Sequence, residues 1–131
     1  MKKKAQHALI SCLILSIFSG PLAFAKDHQN GHKIVLDEHK AGTRVEIDED
    51  QDEVYDAVQA GLIKPFSELY AAVESQLNGR LIKVELEEDD DEWVYELKLV
   101  HKNSVIKVEY NAATLEMIEI KGRNLHDVIK K

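Results

Sequence analysis

From Arg80 onward, apolar side chains recur at every second residue in run after run. No other feature constrains the fold so strongly. Ile82, Val84 and Leu86 alternate with Lys83, Glu85 and Glu87. Trp93, Tyr95, Leu97 and Leu99 alternate with Val94, Glu96, Lys98 and Val100. Ile106, Val108 and Tyr110 alternate with Lys107 and Glu109, and a less regular run covers Leu115 to Ile120. A period of two belongs to strands, and one apolar face against one charged face means a sheet covered on one side only. The turn formers "HKNS" at 101–104 and "YNAAT" at 110–114 separate the later runs.

The cover has to come from upstream. Phe66, Leu69, Tyr70, Val73 and Leu77 carry the i, i+3, i+4, i+7, i+11 spacing of a helical apolar stripe. Pro65 stands in the first turn, where no amide hydrogen is needed, and Asn78-Gly79 ends the pattern. An earlier helix starts at Asp50, which has the capping-box spacing to Glu53. Val54, Ala57 and Val58 share its apolar face, and Gly61 supplies a left-handed C-terminal cap. The expected architecture is α+β, with N-terminal helices packed on one face of a four-stranded antiparallel β-meander.

Six consecutive acids, Glu87, Glu88, Asp89, Asp90, Asp91 and Glu92, fall between the first two alternating runs. A hairpin connection is required there. The stretch holds no Gly, Pro or Asn, so the expectation is a longer solvated loop rather than a two-residue turn. It is a candidate docking surface for a basic partner, or a weak collector of Ca²⁺. Adjacent side chains at a strand end point to opposite faces, so six in a row do not converge on one ion. The plain alternative is a solvated hairpin tip.

The N-terminal 25 residues follow a different logic. "MKKK" is a basic n-region, "ALISCLILSIF" an apolar core and Ala23-Phe24-Ala25 a small-residue cleavage site. Together they read as a signal peptide, too short in its apolar part to span a membrane comfortably. Leu9-Ile10-Ser11-Cys12 looks like a lipoprotein box, but "LILSIF" continues past Cys12, which favours an ordinary secretory signal. Cleavage after Ala25 leaves Lys26–Lys131 without cysteine, hence without disulfide, thiol nucleophile or thiolate metal site. The full chain carries a formal charge of −7; losing three lysines leaves 14 basic residues against 24 acids, or −10. Such a surface repels nucleic acid and anionic lipid, and favours cations or basic protein surfaces. The expected location is the bacterial periplasm or the medium, with no membrane anchor after cleavage.

Residues 26–49 read as an arm, in which "IVL" and "RVEI" flank "DEHKAGT" as a candidate short hairpin. His28, His32 and His39 lie there beside Asp27, Asp37 and Glu38, a candidate transition-metal set. Gly31 argues against the helix that would align His28 with His32. At the other end, residues 123–131 form a tail in which Leu125, Val128 and Ile129 make a last helical turn, expected to fray. Catalytic signatures are missing from the sequence. Beyond residue 25 the serines are Ser67, Ser75 and Ser104, none within Gly-x-Ser-x-Gly, and the chain has no phosphate loop and no His-Glu-x-x-His. The expectation is a non-enzymatic protein without a cofactor.

One resemblance organises these pieces. From about Asp52 to Gly122 the chain resembles the PepSY family. The similar segments are "AVQAGLIKPFSEL", "NGRLIKVEL" and "WVYELKL" in that order. The family's last strand usually follows a "DAxTG" turn, here Asn111-Ala112-Ala113-Thr114-Leu115, so the turn after Thr114 is expected to differ. The resemblance implies a PepSY-like domain over 50–122, with a helix on an antiparallel sheet and no catalytic residues. It also implies a binding or regulatory role, in which the protein binds or restrains a peptidase or another envelope protein. The alternative is a cation-responsive accessory to an envelope signalling system. Either sheet edge offers a route to a partner, by strand addition.

Overall fold

A computed structural model describes residues 30–131. The signal segment, Cys12 and His28 lie outside the described residues. The chain runs α1 (Gly31–Val35), β1 (Arg44–Ile47), α2 (Gln51–Gln59), α3 (Phe66–Gln76), β2 (Arg80–Asp89), β3 (Glu92–His101), β4 (Ser104–Asn111), β5 (Met117–Lys121) and α4 (Leu125–Val128). The fold is α+β, with one open sheet in the order β1-β2-β3-β4-β5. Strands β2 to β5 form the expected antiparallel meander.

A fifth strand joins them from the segment read as an arm. Strand β1 pairs parallel to β2, with Val45 opposite Val84 and Ile47 opposite Leu86. Parallel neighbours need a long crossover, and α2 with α3 supplies it. The "IVL" stretch does not pair with "RVEI" as a hairpin; it lies in and just after α1. Gly31 lets α1 sit on the backbone of α2. A Cβ at that position would collide with the Gln51 carbonyl oxygen and lie 2.7 Å from the Tyr55 nitrogen.

Both long helices form for the reasons written in their sequences. Asp50 accepts the Glu53 amide at 3.0 Å, closing the N-terminus of α2. Gly61 takes φ +78° just past its end. In α3, Phe66, Leu69, Tyr70 and Val73 are all buried, as is Leu77 at its C-cap. Pro65 sits one residue before the helix, as its N-cap, and has no side chain that could cap it. Asp37 does this from the distant arm, accepting the Ser67 amide at 2.9 Å and the Ser67 hydroxyl at 2.7 Å.

The core lies between these helices and the sheet. It contains Val54 and Ala57 of α2, the α3 stripe, and Val84, Leu86, Tyr95, Leu97, Leu99, Ile106, Val108 and Tyr110 of the strands. Trp93 belongs to it too, as its alternation predicts. Tyr95 donates its hydroxyl to the Lys64 carbonyl at 2.6 Å, and Tyr110 donates to Gln76 Oε1 at 2.8 Å. The alternation misplaces one residue. A bulge between Leu81 and Lys83 puts Leu81, not Ile82, into the core. The C-terminal turn forms and is tied down: Val128 is buried, its carbonyl accepts the Asn78 amide, and Ile129 bridges Leu77.

Candidate binding surfaces

The acid run is not a loop. Strands β2 and β3 continue to the pair Asp89–Glu92, leaving only Asp90 and Asp91 to turn the chain. Both have positive φ, +52° and +67°. That is the backbone of a tight two-residue hairpin turn, normally filled by Asn-Gly or Asp-Gly. The expectation of a longer loop fails because Asp tolerates the left-handed region better than most residues. Of the six acids, Glu87, Glu88 and Asp89 therefore belong to β2, and Glu92 to β3. Glu87 faces the open side of the sheet, where desolvation and then Glu96 push its carboxyl up. Glu88 turns the other way, and its amide meets Glu49 at 3.3 Å.

Among the described residues, His32 and His39 do not assemble a site with the arm's acids. His32 Nε2 lies 2.7 Å from the Glu49 carbonyl oxygen, a contact that pins α1 to the α2 entry. His32 and His39 line one shallow depression with Leu36, Thr43, Val45 and Ile47. Asp37 is committed to capping α3. Among the described residues, two groups have ligand atoms within 4.8 Å of one another, and both are all carboxylate. They are Glu46, Asp48 and Glu85, and Glu49, Glu53 and Glu88. In the first, a hydrogen bond with Asp48 and then desolvation push Glu85 up to about 7. Proximity of this kind favours a shared proton.

A cleft of about 230 Å³ opens between the end of α3 and the start of β2. Lys40, Tyr70, Glu74 and Arg80 line it over Val73 and Leu77. Lys40 reaches Glu74 at 3.6 Å and lies 5.6 Å above the Tyr70 ring.

The uncovered face of the sheet carries a pattern that periodicity alone did not reveal. Arg44, Lys83, Lys98, Lys107 and Lys121 stand directly opposite one another, strand to strand, across all five strands. Two residues along, Glu46, Glu85, Glu96, Glu109 and Glu119 do the same. The open face thus bears one basic and one acidic row, side by side. The signal was in the sequence as "RVE", "KVE", "ELK", "KVE" and "EIK", which reverses whenever the strand direction reverses. Only the strand register turns five tripeptides into two rows. Ion pairs cross between the rows, from Lys83 to Glu46 at 3.5 Å and from Lys107 to Glu96 at 3.2 Å.

The sheet ends in two edges. Strand β1 is short and covers only Lys83–Leu86 of β2. Strand β5 covers Lys107–Tyr110 of β4, and its outer side pairs with no strand among the described residues. Ile118 on that edge is 49% exposed, a large apolar side chain left in water.

The described residues form helices over one face of an open five-stranded sheet. Residues 64–121 match the PepSY family, described as peptidase propeptide and YPEB domain. This segment is a PepSY domain. PepSY domains are generally non-catalytic, propeptide-like modules. No curated protein and no solved structure matches the chain. The match spans α3 and the four antiparallel strands, and leaves α1, β1 and α2 outside it. At the turn before the last strand, Asn111 and Leu115 stand in the Asp and Gly places of the family's pattern. The Asn111 side chain accepts the Ala113 and Thr114 amides, at 2.8 and 3.1 Å, as an Asp would. Leu115 takes the left-handed φ of +62° in the Gly position.

Proposed function

We propose that the protein is an exported, non-enzymatic binding module that holds an extended segment of a peptidase or another envelope protein. The observation that carries this reading is the outer edge of β5, which pairs with no strand among the described residues, with Ile118 exposed on it. An open edge presents a row of amides and carbonyls to an incoming strand, and alternate side chains select it. Membership of a family named for peptidase propeptides supports the class of partner. The signal-like N-terminus supports the compartment. No described helix is long and apolar enough to cross a membrane.

The test is a crosslinking capture from the native envelope with Lys26–Lys131 as bait. Two variants run beside it, Ile118→Asp, and a twin with Glu88 to Glu92 made Asn or Gln. The expected result is one partner, crosslinked at β5, lost with Ile118→Asp and kept by the neutralised twin. Loss with the twin alone would move the docking surface to the hairpin tip. Capture that needs added Ca²⁺ or a transition metal would favour the cation-responsive alternative. No capture by any bait would remove the partner reading.

A further inference from the structure

We infer that the open face of the sheet is a self-recognition surface, on which a second copy of this chain docks with its basic row over the acidic row of the first. All eight directly opposed pairs in the two rows are like-charged, from Arg44–Lys83 to Lys107–Lys121 and from Glu46–Glu85 to Glu109–Glu119. Directly opposite side chains are the nearest cross-strand neighbours, and like charges there destabilise a sheet. Swapping acid and base on alternate strands would make every such pair attractive, with the same composition. Segregated rows cost a lone domain every one of these direct pairs. Ion pairs between the rows recover part of the cost, two across strands and three along single strands, but Lys98 and Glu109 make none among the described residues.

Segregation does suit a two-fold partner. A rotation of 180° about an axis in the face, parallel to the rows and midway between them, lays each basic row on the other copy's acidic row. The perpendicular axis lays like on like. Charge therefore selects one mode, and a two-fold interface is self-complementary by construction. The same rotation covers Val105, which stands opposite Val100 in the row beyond the bases and is 58% exposed. The two rows are jointly neutral, so the contact itself adds nothing to the repulsion between two chains that each carry −10 after Ala25. Five strands about 4.8 Å apart give a patch of a few hundred Å² per copy, the size of a weak and salt-sensitive contact.

Sedimentation velocity on Lys26–Lys131, which holds every described element, tests this over a concentration series to about millimolar. One series runs at about 0.15 M salt, where long-range repulsion is screened beyond about 8 Å, and one at about 1 M. Two variants reverse the β3 and β4 members of one row each, Lys98→Glu with Lys107→Glu and Glu96→Lys with Glu109→Lys. The expected result is a parent dimer at moderate salt that dissociates at high salt. Each variant alone sediments as a monomer, and their equimolar mixture restores a one-to-one dimer. A parent that stays monomeric across the series overturns the proposal without reference to the variants. So does a dimer that survives high salt, or one that persists in both reversed-row proteins.

Discussion

Asp90 and Asp91 show what a single position can hold against its preference. Both sit at positive φ in a two-residue turn flanked by further acids. Left-handed backbone costs a non-glycine residue about 1–2 kcal/mol, least for Asp and Asn. Asp91→Gly completes the favoured Asp-Gly turn and removes one like charge. It should raise the unfolding free energy by about 1 kcal/mol, read from the denaturant midpoint at unchanged slope. Glu85 makes the opposite kind of statement. Its hydrogen bond with Asp48 and its desolvation push it up to about 7. A carboxyl raised on folding binds its proton more tightly in the native state. It therefore contributes stability that is full below the ordinary carboxyl range and lost as pH rises toward 7. Glu85→Gln keeps the hydrogen-bonding shape without the ionisation. The melting temperature of Glu85→Gln relative to the parent should rise between about pH 5 and about pH 8. A difference that shrinks over that interval would contradict the assignment.

Helix α3 shows how an element draws on remote chain. Its stripe was legible, because 3.6-residue spacing follows from the sequence alone. Its cap was not, because Asp37 lies 30 residues before Ser67. Asp37→Ala should cost about 1 kcal/mol in thermal or denaturant unfolding, while Glu38→Ala, which has no such bond, should cost little. Strand β2 carries a comparable lesson. Its alternation was read correctly at Val84 and Leu86 but one residue off at Leu81, because a bulge breaks the period. A bulge is a property of a strand pair, and no single run of residues announces it.

For the whole molecule, the PepSY segment and the elements before it share one core. Val35 of α1 is buried with the α3 stripe, and Val45 and Ile47 of β1 pack against the same cluster. A chain starting at Asp48 loses α1 and β1 and bares the edge of β2. It should be less stable by about 3 kcal/mol or more, given what burying one valine and two partly buried aliphatics contributes. Hydrogen exchange should quicken at Lys83–Leu86, where β1 pairs, and change least at the β3–β4 pairs. Uniform protection across the sheet would mean that α1 and β1 add no stability.

The sequence by itself determined the periods: a helical stripe, then four alternating runs, hence helices over one face of an antiparallel sheet. Period follows from backbone geometry and needs no partner to be read. It also determined the absence of a catalytic signature and the signal-like start. The tertiary structure alone decided which side chains stand opposite one another. Register made rows from five tripeptides, placed β1 beside β2, brought Asp37 to α3, and set Glu85 against Asp48. Each of these joins residues far apart in the chain or fixes their offset. Such pairings depend on where the backbone lies in space, which local spacing does not encode.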